Sequence, residues 1–326
     1  THTAFGLRYL LANLGKHQQC AELIEFTIKQ PIDDIANQIL ARKPAIVGIG
    51  IYIWNVTQTT LLVELLRDRA PELVIILGGP EISYEYDETL LFQLCDYLIC
   101  GEGDLAFSQL VNQINSGSPP SEKLIPPSIP SLEKIKLPYS LYSDHDINHR
   151  VIYVESSRGC PFRCEFCLSS LDQRVRYFDI EQFLSEMEAL LDRGAKRFKF
   201  VDRTFNLNDK HALTIINYFK SRWHENMQLH FEIVPDRLSD KLITAITGFP
   251  EKGLHLEIGI QSFNADVLKR INRHQNLDKT VAVVKTLLKE SGAELHTDLI
   301  FGLPGETYES IGSGIDQLYQ LRPHEI

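Results

Sequence analysis

No stretch of this 326-residue chain comes near the roughly 18 consecutive apolar residues that a membrane-spanning helix needs, and no secretory segment is recognisable. The expectation is a cytoplasmic protein with no membrane partner. Positive charge is not in excess either. With 33 Lys and Arg against 43 Asp and Glu, the formal net charge is −10, which argues against a mainly electrostatic grip on nucleic acid. The one basic stretch, 193–199, reads as a solvated helix end. Phosphate-loop signatures are missing: neither G-x-G-x-x-G nor G-x-x-x-x-G-K-S/T occurs. What remains, 44% hydrophobic and 23% charged, is the make-up of an ordinary globular protein long enough for two cores.

Cysteine is sparse, six in all, yet three are crowded into Cys160-Pro-Phe-Arg-Cys164-Glu-Phe-Cys167, directly after a strand-like run, Val151–Ser156, and a Ser157-Arg158-Gly159 turn. Three soft donors on so short a loop can converge on one inorganic centre and select zinc, copper(I) or an iron–sulfur cluster. No fourth cysteine or histidine follows nearby. A closed structural zinc site would have to borrow His145 or His149 from upstream, so an open coordination position is expected. Cys20, Cys95 and Cys100 lie singly in apolar surroundings and read as core residues rather than parts of a disulfide scaffold.

The first part of the chain alternates strands and helices. Strands are expected at Ala21–Ile28, Ala45–Tyr52, Leu73–Leu77 and Tyr97–Cys100, and helices at Ile32–Ala41, Val56–Ala70, near Asp87–Cys95 and at Leu105–Ile114. Near-continuous apolar strands between amphipathic helices predict a parallel, doubly wound α/β domain over 1–115. Residues 116–150 carry Ser118-Pro-Pro-Ser121 and Ile125-Pro-Pro-Ser-Ile-Pro130 without any period, and read as a linker. From 151 to 326 the strands Val151–Glu155, Arg197–Val201, Leu229–Val234, Leu254–Ile260 and Glu294–Ile300 alternate with helices. Five such units fit a parallel barrel whose chemistry sits at the C-terminal strand ends, where the cysteine loop falls. Thr1–Leu14 shows no opening strand and Pro323–Ile326 resembles the start of another, so truncation at both ends is expected.

The C-x3-C-x2-C spacing, Phe166 just before the third cysteine, and the place after a first barrel strand resemble the radical S-adenosylmethionine (SAM) enzymes. The resemblance implies a partial (β/α)6 barrel in which Cys160, Cys164 and Cys167 hold a [4Fe-4S] cluster and SAM takes the fourth iron. It further implies an external electron donor of flavodoxin or ferredoxin type, and cleavage of SAM to a 5′-deoxyadenosyl radical. Carried over position by position, SAM contacts fall on Phe166, on Asp202 or Thr204 where the family usually has Gly-Gly-Glu, and on Gln261 and Ser262. Ile300 and Gly302 match the segment that packs on adenine, whereas Glu306 is displaced by one position and receives no role. Asn206 or Asn208 could equally cap the next helix. Glu232 and Glu257 interrupt apolar strands, where an unpaired charge is costly; they await either SAM or a barrel-internal Lys or Arg.

The edge of the first domain carries Tyr52, Trp54 and Asn55, then Gly78-Gly79-Pro80-Glu81, then Gly101-Glu102-Gly103. Glycines allow a backbone to approach a large ligand, and the aromatics supply flat apolar surface. Ahead of a radical SAM motif these segments resemble the cobalamin-binding domain of B12-dependent radical SAM enzymes. The Asp-x-His-x-x-Gly motif that places a histidine on cobalt is absent, and the lower axial side chain stays unassigned. The resemblance implies functionalisation of an unactivated carbon, in the majority of cases methyl transfer. Cyclisation, oxidation or rearrangement remain open, as does a non-catalytic cobalamin or redox sensor. The substrate is not legible.

Overall fold

The computed structural model describes residues 2–326. It divides into two compact units, Ala4–Leu141 and Tyr142–Ile326, the second also holding His2 and Thr3. Thr1, the first residue of the expected opening loop, lies outside the described residues.

The first unit is built on four parallel strands in sequential order: β1 (Ile46–Gly50), β2 (Val74–Gly78), β3 (Tyr97–Ile99) and β4 (Leu124–Ile125). Alternation along β2 explains its two covered faces. Ile75 and Leu77 join Leu62, Val63 and Leu66 on one side, and Ile76 joins Leu110 and Val111 on the other. Helices Ile32–Leu40 and Val56–Arg69 close the first side, and Phe5–Ala12 packs with Asp104–Asn115.

Four expectations for residues 1–150 are corrected. Ala21–Ile28 forms no strand: Glu25 instead turns back onto the backbone N–H of Ala4 and onto Arg8, 3.1 Å away, so local polar contacts replace a ladder. The helix near Asp87–Cys95 shortens to Leu90–Leu94, because the Thr89 hydroxyl accepts from the Phe92 N–H and sets its start. The 116–150 stretch is not free of regular structure. It supplies β4 and, further on, a helix at Asp144–His149 closed by a Ser143–Asp146 capping box. Cys20 is exposed at the end of a 3-10 turn, whereas Cys95 and Cys100 are buried as expected.

In the second unit β5 (Ile152–Val154) runs into a short antiparallel pair, β6 (Ser157–Arg158) with β7 (Arg176–Tyr177), which brackets the cysteine loop. Then follow β8 (Arg197–Phe200), β9 (Gln228–Glu232), β10 (Leu254–Gln261) and β11 (Glu294–Leu299). All five long strands are parallel, in the order β11-β10-β9-β8-β5, the arrangement of an incomplete barrel. Intervening helices start on capping side chains; Asp179 accepts from the Gln182 N–H at 2.8 Å and heads a helix that buries Phe183, Met187 and Leu190 at i, i+4 and i+7. Phe198, Phe200, Leu229, Phe231, Leu256 and Ile258 face those helices and are fully buried. Their neighbours, Lys199, His230, Glu232, His255, Glu257, His296 and Asp298, are half-buried on the opposite, open face. Period-2 alternation therefore gives this sheet one apolar side and one titratable side.

Among the described residues, no helix is long and apolar enough to cross a membrane.

Gly79 has φ +112°, and a Cβ there would lie 2.4 Å from the Ile51 carbonyl oxygen. Gly79→Ala is expected to cost about 1–3 kcal/mol through strain and backbone displacement, read as a lowered urea midpoint by circular dichroism.

Candidate functional site

At the C-terminal ends of β8–β11 an open cleft of about 170 Å³ is lined by all three clustered cysteines, together with Phe166, Arg203, Thr204, Glu232, Glu257, Gln261, Arg273 and Asp298. The loop bearing the cysteines is pinned by backbone bonds. Cys160 N–H donates to Asp172 O (2.9 Å) and Glu165 N–H to Ile271 O (3.0 Å), while the Asn272 amide donates to Arg163 O (3.0 Å). Gly159, at φ +91°, sits where a Cβ would lie 2.1 Å from Arg174 O, so the turn into the loop requires glycine.

Cys164 is buried, and Cys160 and Cys167 are partly so. Burial raises the Cys160 thiol pKa, with the neighbouring thiols adding to the rise and Arg273 opposing it. Arg273 Nη1 lies 3.8 Å from Cys164 Sγ, and its other terminal nitrogen donates to Gly259 O. Sequence reading missed Arg273, because a loop after the Ala265–Arg270 helix delivers it to the cleft. His145 and His149 do not line the cleft. They stack on each other, ring centroids 4.5 Å apart, on the short helix before β5.

The two strand carboxylates take the barrel-internal reading. Glu257 accepts from His230 Nε2 at 2.7 Å and Lys199 Nζ at 3.2 Å; the His230 bond, aided by Lys199 against burial, holds its pKa down to about 2. Glu232 pairs with Arg203 at 3.2 Å, and burial, partly offset by that guanidinium, raises its pKa. Both still line the cleft. Asp298, unassigned from sequence, joins them with a pKa raised by burial.

Other expected contacts separate. Thr204 lines the cleft, and its buried hydroxyl has no hydrogen-bond partner. Such an orphan is costly unless a ligand meets it. Gln261, at φ +72° beside a bulge in β10, also lines the cleft. Asp202 does not. Its carboxylate is 1% exposed and accepts from Ser156 N–H and from the Ser156 and Ser157 hydroxyls, both at 2.6 Å, so it braces the root of the cysteine loop. Ser262 is buried and donates to Glu306 at 2.5 Å, which gives Glu306 a structural task. Ile300 packs on Leu303 and Ile271, and Gly302 makes the turn beyond it at φ +81°; neither lines the cleft. Asn208 caps the next helix through His211 N–H, whereas Asn206 bridges to both backbone groups of Val234.

In the first unit the expected cobalamin residues gather on the C-terminal edge of β1–β3. Tyr52 and Trp54 stack with centroids 4.6 Å apart and planes 10° from parallel. Asn55 ties their loop by accepting from Tyr52 N–H (2.8 Å) and donating to Gly50 O (3.0 Å). The Gly78–Glu81 and Gly101–Gly103 turns are joined by Ser83, missed in the sequence. Its hydroxyl donates to Gly79 O (2.7 Å) and accepts from Gly101 N–H (3.2 Å). Ile53 and Trp54 are 73% and 63% exposed, and Tyr84 is also exposed. Apolar surface of this kind beside glycine-rich turns fits a large flat ligand such as a corrin.

Residues 154–318 match the Radical SAM superfamily, and residues 1–111 match the B12 binding domain. The chain belongs to the radical SAM superfamily. An uncharacterized methyltransferase of Pyrococcus horikoshii is 26% identical over 97% of this chain and 72% of its own length. The cobalamin-dependent radical SAM methyltransferase TokK of Streptomyces tokunonensis is 23% identical over 90% of this chain, which spans only 47% of TokK. In fold the chain resembles the radical SAM methyltransferase TsrM of Kitasatospora setae, with a TM-score of 0.78 at 16% identity, over 99% of this chain and 69% of TsrM. Membership brings a [4Fe-4S] cluster and SAM, and the B12 binding domain brings cobalamin. The donor set fits: three thiols on one pinned loop, with an orphaned hydroxyl and a guanidinium beside them.

Burial raises the pKa of Asp202 from 3.8 to about 6, against the serine hydrogen bonds that lower it. Between those values Asp202 binds more protons in the folded state than in the unfolded chain, so its contribution to stability is fully present below about pH 4 and is lost as pH rises through 6, by up to about 3 kcal/mol. Asp202→Asn should remove that contribution to the slope of urea midpoints measured from pH 4 to 7. An unchanged slope would remove Asp202 as its source.

Proposed function

We propose that this chain is the cofactor-bearing part of an enzyme that transfers a methyl group to an unactivated carbon. The pairing of a B12 binding domain with a three-cysteine SAM cleft in one chain carries the reading, and relatives named as methyltransferases support it. When bound, the cluster and SAM supply a 5′-deoxyadenosyl radical, and cobalamin supplies the methyl group. Cys160, Cys164 and Cys167 hold the cluster and leave one corner to SAM. Thr204, whose buried hydroxyl has no partner, would offer it to a polar group of SAM, with Gln261 alongside. Arg273, beside Cys164 Sγ, would place positive charge next to the thiolates and would favour a carboxylate there. Phe166 supplies apolar cover, which limits water at a site where a radical must survive. Glu232 and Glu257, already paired, keep Arg203 and Lys199 aimed at the cleft and its floor. Tyr52, Trp54 and the glycine turns hold the corrin. An external donor of flavodoxin or ferredoxin type delivers the electron, and the substrate class stays open.

The test is anaerobic incubation of protein reconstituted with iron, sulfide and hydroxocobalamin, given SAM and a reductant. Methyl transfer consumes SAM in two ways, so both 5′-deoxyadenosine and S-adenosylhomocysteine should form. 5′-Deoxyadenosine alone would point to cyclisation, oxidation or rearrangement, and neither product to a sensor.

A further inference from the structure

Along the N-terminal and middle parts of β9–β11 the open face of the sheet carries three imidazoles. His230 and His255 are register partners with ring centroids 4.4 Å apart, and His296 meets His255 edge-on at 5.9 Å and 79°. Glu325 is brought beside them by backbone pairing: its N–H donates to Leu295 O (3.1 Å) and its carbonyl accepts from Thr297 N–H (3.0 Å), forming a parallel bridge with His296. One ligand atom from each of His255, His296 and Glu325 lies within 4.8 Å of the others. This cluster is separate from the cleft, since none of the three lines it.

We propose that His255, His296 and Glu325 bind one divalent first-row transition-metal ion, of which zinc and ferrous iron suit the donors best. Two imidazoles and a carboxylate are a borderline-soft set, and three protein ligands leave positions for water or an oxygen donor of a substrate. His296 Nδ1 and Glu325 Oε2 are 4.0 Å apart, too far for a hydrogen bond; ligands about 2.0–2.2 Å from one tetrahedral ion stand roughly 3.3–3.6 Å apart, so a small side-chain rotation would bring both onto it. The outer partners fit as well. His296 Nε2 lies 3.2 Å from Asp298, which leaves Nδ1 on the Glu325 side, and His255 Nδ1 lies 3.7 Å from Glu294, which leaves Nε2. A carboxylate on the far nitrogen of a ligating histidine is the usual means of fixing ring orientation and raising its basicity. Asp298 also lines the SAM cleft, so it joins the two sites. The alternative is a polar layer in which these groups only solvate one another. The assignment is independent of methyl transfer, whose failure would leave it intact.

Cluster-loaded protein, with its thiolates occupied by iron, is dialysed anaerobically against Zn2+, and bound zinc is measured by elemental analysis and by the rise in melting temperature. The expected result is about one zinc per chain in the wild type, lost in His255→Gln/His296→Gln and weakened at least about tenfold in Glu325→Gln. Zinc uptake unchanged in the double variant, or none in the wild type, overturns the assignment. X-ray absorption of the zinc-loaded wild type needs no variant to fold. Imidazole and oxygen scattering supports the site, and sulfur scattering overturns it.

Discussion

Three thiol donors on one eight-residue loop, with no fourth cysteine and no histidine among the residues that share their cleft, are the constraint on which the functional reading rests. Three donors bind an inorganic cube but leave one corner to something that comes and goes. The protein invests in holding that geometry. Gly159 makes a turn no other residue fits, backbone bonds from Cys160 and Glu165 pin the loop at both flanks, and the buried Asp202 clamps Ser156 and Ser157 beneath it. Preorganisation of this kind matters most where the ligand is a reactive cofactor and small displacements expose it to water.

The second unit divides its sheet by alternation into an apolar side of phenylalanine and leucine and an open side of histidine, lysine and carboxylate. The open side runs as layers along the strand direction. At the C-terminal end lie the cysteines, Thr204 and Arg273; below them Lys199, His230 and His255 share one register level, and Glu257 and His296 share the level above it, so the Lys199–His230–Glu257 trio and the His255–His296–Glu325 cluster lie side by side across the sheet. Charges that would be costly inside a closed core are tolerated on this face because they are paired: Glu257 with His230 on the adjacent strand and Lys199 one strand beyond, Glu232 with Arg203 from the loop after β8, and Asp298 with His296 on its own strand.

Much of this was legible in the chain, for reasons that can be stated by residue. The five long strands of the second unit were read nearly to their ends, since apolar runs such as Leu254–Ile260 are local signals. The strand at Leu124–Ile125 was hidden because two residues beside prolines carry no period, and its pairing with β3 is tertiary. Ala21–Ile28 misled because it is apolar enough for a strand, yet Glu25 finds Arg8 first. At the site, residue identity located the strand ends but not which way each side chain turns. Thr204 and Asp202 are two residues apart, and one lines the cleft while the other is sealed under β5. The partners of Glu257 sit 58 and 27 positions away, on strands whose register no local pattern reveals.

The open corner of the cluster is tested most directly by electron paramagnetic resonance of the anaerobically reconstituted, reduced protein before and after SAM is added. The account predicts a reduced [4Fe-4S] signal whose g-values shift on adding SAM, and which is lost when Cys160, Cys164 or Cys167 is replaced by alanine but kept in Cys95→Ala. A signal indifferent to SAM, or a cluster that survives loss of one of those cysteines, would contradict it.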